Sequence, residues 1–299
     1  MVILSHMPPW AEIAAQISTS TGLPFVVEEV SSIGGGCINQ AQRIEGNGRQ
    51  FFVKLNDAAS LPMFEAEAAG LQEIRDSHTL HVPEPVCWGK SNSRAWLVLE
   101  YLEMGKASTR GAEAFGAGLA AMHRCTSEKF GWKRDNTIGA TPQINTYTSR
   151  WVQFWREHRL GHQLQLARVN GHTGKLQVLG EKLLAKLDFF FPGTDPATSL
   201  LHGDLWSGNY SFDSEEQAVL FDPAVYYGDR ETDIAMTELF GGFPTAFYAA
   251  YRESYPLDPG YDVRKNLYNL YHILNHLNLF GGGYRSQAEQ MIGRLLAEA

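Results

Sequence analysis

The stretch Leu200-Leu201-His202-Gly203-Asp204-Leu205-Trp206-Ser207-Gly208-Asn209 carries a carboxylate and, five residues later, an amide. Thirteen residues past Asn209, a second carboxylate stands in Phe221-Asp222-Pro223-Ala224. Those residue types at that spacing suit the transfer of a phosphoryl group from a nucleotide to a hydroxyl. Asp204 would orient the hydroxyl and accept its proton. The amide oxygen of Asn209 and the carboxylate of Asp222 would offer hard ligands to magnesium, which takes its remaining oxygens from phosphate and water. Such chemistry rests on positioning and charge stabilisation rather than on a covalent step at the protein. Trp206, between the base and the amide, is placed to wall an acceptor site, and His202 to brace the loop by hydrogen bonds.

These side chains need elements to hold them. Upstream, apolar and β-branched runs predict strands over 25–33 and 38–44, with Gly34-Gly35-Gly36 between them. Backbone N–H groups there can approach phosphate closely, although the run does not match G-x-G-x-x-G. Asn47-Gly48 is a hairpin turn signal, and 50–55 is the return strand that ends near Lys54. Lys54 occupies the position of the kinase lysine that contacts the α- and β-phosphates. Pro62 can start a helix over 64–74, from which Glu67 would pair with Lys54 while the neighbouring Glu65 points elsewhere. Strands over 86–89 and 95–99 follow, joined by Ser91-Asn92-Ser93. Backbone groups of Glu100 and Leu102, with Tyr101 between them, are expected at the adenine edge.

After Tyr101-Leu102 the pattern turns helical, over 111–124, 150–169, 175–191 and 234–296, with breaks at Pro244, at Pro256 and Pro259, and at Gly281-Gly282-Gly283. Between Ser199 and Phe221 it is short and β-like. The expected class is α+β, a bilobal protein-kinase-like fold. A small N-terminal antiparallel sheet lobe with one helix (1–102) would carry the glycine loop and hinge for ATP. A larger, mainly helical C-terminal lobe (103–299) would carry catalysis and the acceptor.

The 299 residues have a formal net charge of -8 and no long basic run, which argues against a nucleic-acid or anionic-membrane partner. No apolar run approaches the roughly 20 residues of a membrane helix. Residues 1–9 lack the pattern of a secretory signal, so a cytoplasmic location is expected. Cys37, Cys87 and Cys125 form no C-x-x-C pair. His158 and His162 lie four apart on an expected helix but lack the H-E-x-x-H pattern, so packed or solvated histidines are the reading.

Taken together, the chain resembles the fructosamine (ketosamine) kinases from Gly34 to about Leu296. The resemblance rests on 34–39, on 64–71 with Glu67, on His202 to Asn209 with Trp206, and on Phe221-Asp222-Pro223-Ala224. It extends to Tyr227-Gly228-Asp229-Arg230-Glu231-Thr232-Asp233, to 145–159 and to Leu279-Phe280-Gly281-Gly282. Aminoglycoside and choline kinases share the H-G-D-x-x-x-x-N frame but usually not Trp206 or the stretch after Gly228. The resemblance implies ATP- and Mg2+-dependent phosphorylation of the 3-hydroxyl of a ketosamine, free or on a glycated protein lysine. Phosphate on carbon 3 leaves more readily than hydroxide, and its elimination frees the amine. An aminoglycoside-type acceptor and a nucleotide-binding scaffold without transfer are the competing readings. Asp229 and Asp233 are expected to hold the catalytic loop and cap the next helix, with Asp229 also a candidate acceptor contact. For Cys37 the resemblance implies redox sensitivity, with the chain a monomer or a homodimer linked through this residue.

Overall fold

The computed structural model describes residues 9–34 and 39–299. Contacts divide the chain into two compact units, Met1–Lys106 with Ser211–Phe221, and Ala107–Tyr210 with Asp222–Ala299. The chain thus divides four residues beyond the expected 102/103 boundary, and a later hairpin returns to the first unit. No described helix is long and apolar enough to cross a membrane.

The first unit is built on a five-stranded antiparallel sheet of β1 (Glu29–Ser32), β2 (Gln40–Gly46), β3 (Arg49–Asp57), β4 (Pro85–Lys90) and β5 (Arg94–Glu100), in the order β1-β2-β3-β5-β4. The Asn47-Gly48 turn forms as the dipeptide predicts, both residues having positive φ (50° and 69°). Alternation along β3 sends Phe51, Val53 and Leu55 into a core with Ile44, Trp96 and Val98. That core is closed by a helix absent from the sequence reading, α1 (Trp10–Thr21), through Ile13 and Ile17. Gln16 of α1 accepts the Trp96 indole N–H at 2.7 Å. The expected single helix of this unit, α2 (Leu61–Asp76), is therefore one of two, and it carries Pro62 in its first turn. The expected strand over 25–33 shrinks to β1, because the Val26 N–H goes to the Asn47 side chain instead of a ladder partner. The hairpin of β9 (Tyr210–Phe212) and β10 (Ala218–Leu220) joins this unit through the Gly105 N–H to Phe212 O (2.7 Å) and the Leu220 N–H to His81 O (3.0 Å).

In the second unit α3 (Thr109–Met122) begins at Ser108, whose hydroxyl accepts the Gly111 N–H at 3.0 Å. It packs on α8 (Thr245–Ser254), where a Cβ at Gly116 would stand 2.2 Å from the Phe247 carbonyl oxygen. The segment expected as one helix over 150–169 is α4 (Trp151–Phe154), a π-helical turn over Trp155–Leu160, and α5 (Gly161–Val169). Then come α6 (Lys175–Ala185), α7 (Glu231–Leu239), α9 (Tyr261–Phe280) and α10 (Tyr284–Glu298), with breaks at the expected prolines and glycines. The long α9 is buried along much of its length, through Leu267, Tyr268, Tyr271 and Leu274 among others. Two short pairs complete the unit: β8 (Ser199–Leu201) with β11 (Tyr226–Gly228), and a hairpin of β6 (Asn136–Ile138) and β7 (Thr141–Gln143). The sequence reading has no β6–β7 hairpin. Three-residue strands give too short an alternation, and Pro142 argues against a strand.

Candidate active site

In the first unit, alternation puts Lys54 on the sheet face opposite the α1 core. There its ammonium meets the Glu67 carboxylate at 2.5 Å. Glu67 shares a helical face with Phe64, Leu71 and Ile74, all fully buried, so the packing of α2 delivers it. The pair is nearly sealed, with side chains 6% and 10% exposed. Gly34 is exposed and lies just past β1, whereas Gly35, Gly36 and Cys37 fall outside the described residues. At the end of β5 the Glu100 N–H donates to Glu84 O (2.9 Å), so that N–H is engaged within the unit. Tyr101 and Leu102 follow, half-buried, with the Arg43 guanidinium 5.7 Å from the Tyr101 ring centre.

In the second unit β8 delivers His202, and the chain re-enters that unit at Asp222 after β10 of the first. Gly203 sits at φ +82°, and a Cβ there would lie 2.1 Å from the Ala224 carbonyl oxygen. Only glycine lets the two loops close to this distance. The Ala224 N–H donates to His202 O at 2.8 Å and ties them. The Asn209 side-chain NH2 donates to the backbone oxygen of Asp204 (2.8 Å) and to its carboxylate (3.1 Å). With its nitrogen so engaged, the Asn209 amide presents its oxygen elsewhere. Asp222 is exposed at φ +52°, an uncommon backbone for a non-glycine residue and one that Asp tolerates better than most. Burial first, and then the Asp222 charge, push the Asp204 carboxyl up to about 7. The Asn209 amide oxygen and the Asp222 carboxylate are hard donors suited to a divalent cation, whose charge would also offset the effect of Asp222 on Asp204. Two hard oxygens fall short of an octahedral shell, so phosphate and water would supply the rest.

The stretch from Asp229 to Asp233 is buried throughout. The Asp233 carboxylate accepts the N–H groups of His202 (2.7 Å) and Gly203 (2.8 Å), and it meets His123 Nε2 at 3.2 Å. It holds the catalytic loop, as read from the sequence. Glu231 accepts two hydrogen bonds from Arg264, at 2.7 and 2.9 Å, and the Arg230 guanidinium stacks 3.6 Å from the Tyr255 ring centre. Asp229 accepts the Tyr268 hydroxyl at 2.5 Å and the Glu231 N–H at 3.0 Å, and it is only 4% exposed. This corrects its place as an acceptor contact: its oxygens are spent inside the helical core, where it caps α7.

Trp206 is 37% exposed and packs over Gly208. Phe240 lies 6.2 Å away edge-on and stacks in turn on His276 at 5.2 Å. The sequence reading missed Phe240 and His276, which sit far from the catalytic loop along the chain in otherwise ordinary helical segments. His162 Nε2 lies 3.1 Å from Pro142 O, and His158 packs edge-on against Phe154, so these two are packed histidines.

Known proteins resemble this chain in sequence and in fold. A probable ketoamine kinase of Synechocystis sp. is 49% identical over 96% of this chain and 97% of its own length. The chloroplastic protein-ribulosamine 3-kinase of Arabidopsis thaliana is 42% identical over 89% of this chain and 82% of its own. The crystal structure of a candidate fructosamine-3-kinase from Haemophilus somnus 129PT superposes with a TM-score of 0.88 at 29% identity, covering 96% of this chain and 97% of that one. A thermostable mutant of aminoglycoside phosphotransferase APH(4)-Ia shares the fold alone, with a TM-score of 0.62 at 14% identity over 95% and 98% of the two chains. The fructosamine kinase family model matches residues 9–298, and the chain belongs to that family.

Proposed function

We propose that the protein transfers the terminal phosphoryl group of ATP to the 3-hydroxyl of a ketosamine. The observation that carries this reading is the closure of the two loops. Asp204 and Asn209 are joined side chain to side chain, and Asp222 lies close enough to raise the Asp204 carboxyl. The relatives named as ketoamine and ribulosamine kinases support the acceptor class. In this reading Asp204 orients the hydroxyl and takes its proton, a task suited to a group that titrates near the working pH. Asn209 and Asp222 would hold magnesium, which neutralises charge on the transferring group. Lys54, held by Glu67, would contact the α- and β-phosphates, and the backbone N–H groups of Gly34, Gly35 and Gly36 would be the glycine-loop donors to phosphate. Glu100, Tyr101 and Leu102 would line the adenine. The Trp206 ring, with Phe240 and His276 behind it, would form an apolar wall against the acceptor.

The test incubates the protein with ATP, magnesium and a panel of ketosamines, with an aminoglycoside and choline as controls, and locates phosphate by NMR. Phosphate on O3 of a ketosamine is expected, and the relative rates rank the sugars. Transfer only to a control overturns the acceptor class. Magnesium-dependent ATP binding without transfer to any compound overturns the kinase reading in favour of a scaffold.

A further inference from the structure

The loop that carries Asp222 rests on side chains the phosphoryl-transfer reading does not use. Directly after Asp222-Pro223, the carbonyls of Ala224 and Val225 each accept a hydrogen bond from a buried amide. Gln143 donates to Ala224 O at 3.1 Å and Asn136 donates to Val225 O at 2.8 Å. Both amides belong to the β6–β7 hairpin, where they face each other in register, and Gln143 also donates to Asn136 Oδ1 at 2.9 Å.

A carboxamide can point either way, and only its neighbours decide which end donates. Here the decision begins at Arg159, on the π-helical turn. Arg159 is fully buried and packs 4.0 Å from the Tyr226 ring centre and 4.5 Å from that of Phe154. Its guanidinium can only donate, so Asn145 must turn its oxygen toward it, at 2.8 Å. The Asn145 nitrogen must then donate to Asn136 Oδ1, at 2.9 Å. The Asn136 oxygen is thereby occupied and its nitrogen is aimed at Val225. Asn136 Oδ1 and Ala224 O, both acceptors, claim the Gln143 nitrogen, and from the other side the Tyr271 hydroxyl donates to Gln143 Oε1 at 2.7 Å and holds that amide in the matching sense. The result is a relay polarised from a cation to the two carbonyls behind Asp222.

We propose that Asn136 and Gln143, oriented by Arg159 through Asn145 and by Tyr271, are positioning residues that set the Asp222 loop for its metal ion. The proposal rests on the kinase reading for the identity of that ion. The same loop is also tied by the Ala224 N–H to His202 O, by the β8–β11 pairing and by the backbone exchange between Tyr227 and Gly131. Reversing one amide therefore sets an acceptor against a carbonyl and displaces the loop without touching Asp204, Asn209 or Asp222.

The test compares Gln143→Glu, which keeps the shape but replaces the donor with an acceptor, and Tyr271→Phe, which removes only the hydroxyl that orients Gln143. In the metal-free protein, amide hydrogen exchange at Ala224 and Val225 is read against exchange at His202 and Gly203. Mn2+ affinity is read by electron paramagnetic resonance with a non-hydrolysable ATP analogue. In Gln143→Glu we expect exchange at Ala224 and Val225 about tenfold faster or more, with His202 and Gly203 at wild-type rates. Mn2+ affinity should fall on the order of ten- to a hundredfold, and kcat at saturating metal much less. Tyr271→Phe should move both readings the same way, by less, and it decides alone if Gln143→Glu does not fold. Wild-type Mn2+ affinity in a folded variant, or equal acceleration of both segments, overturns the proposal. Exchange is read without metal, nucleotide or acceptor. Selective loosening in a protein that transfers no phosphate would therefore sink the kinase reading and leave the positioning role standing.

Discussion

The two loops of the candidate active site are braced in opposite ways. The Asp204 loop hangs by its N–H groups from a buried carboxylate, Asp233, itself backed by His123. The Asp222 loop rests by its carbonyls on neutral amides, Asn136 and Gln143. A carboxylate is the stronger acceptor, but it adds negative charge near Asp204 and contributes to raising that carboxyl. Amides hold the second loop without adding charge beside Asp222. In the proposed reading, the loop whose carboxylate takes the substrate proton thus sits on an anion, and the loop that would meet magnesium sits on neutral groups. In the first unit the Lys54 ammonium meets the Glu67 carboxylate directly, a cation against an anion at 2.5 Å.

Four changes would break or sharpen this contrast. The largest effect is expected from Asp204→Asn, which should retain ATP binding by calorimetry while turnover falls about 10²–10⁴-fold or more. Turnover at the wild-type level would remove Asp204 from the base role. Next, Asp233→Asn turns one of two acceptors into a donor facing a buried N–H. It should cost roughly 3 kcal/mol in denaturant unfolding and lower kcat as well, because the catalytic loop loses its anchor. A variant of unchanged stability would show that the charged brace is dispensable.

Glu67→Gln leaves Lys54 with a weaker partner. Its KM for ATP should rise about tenfold with a smaller change in kcat; an unchanged KM would detach the pair from nucleotide binding. The smallest effect concerns pH. In the metal-free protein the Asp204 carboxyl, raised to about 7, keeps a proton that the unfolded chain releases from its ordinary 3.8 upward. Its contribution to stability is therefore full at low pH and is lost as pH rises through about 7. Asp222→Asn removes the second cause of the shift, so NMR titration of Asp204 should give a lower value than in wild type. An unmoved titration would show that burial and Asp233 raise it without help from Asp222.

The charged brace could be read from the chain and the amide brace could not. Asp233 stands in an unusual run of charges beside a recognisable loop, whereas Asn136 and Gln143 are ordinary polar residues in a segment without strand periodicity. Their partners lie 89 and 81 residues away, and no local spacing signals such a bond. Asp229 shows the converse error. Its place in the charged run suggested a contact with the acceptor, but burial and the Tyr268 hydroxyl commit it to the core. The helix α1 escaped notice because its value lies in the sheet face it covers.

The sequence by itself determined the spacing of Asp204, Asn209 and Asp222, the hairpin at Asn47-Gly48, and the helix breaks at proline and glycine. Each follows from local backbone rules or from side-chain periodicity within one element. Only the tertiary structure decided which buried groups face one another: the amide relay beneath Ala224 and Val225, and Phe240 and His276 behind Trp206. A buried polar group must find its partner wherever packing places one, and that place is a property of the assembled core rather than of any stretch of chain.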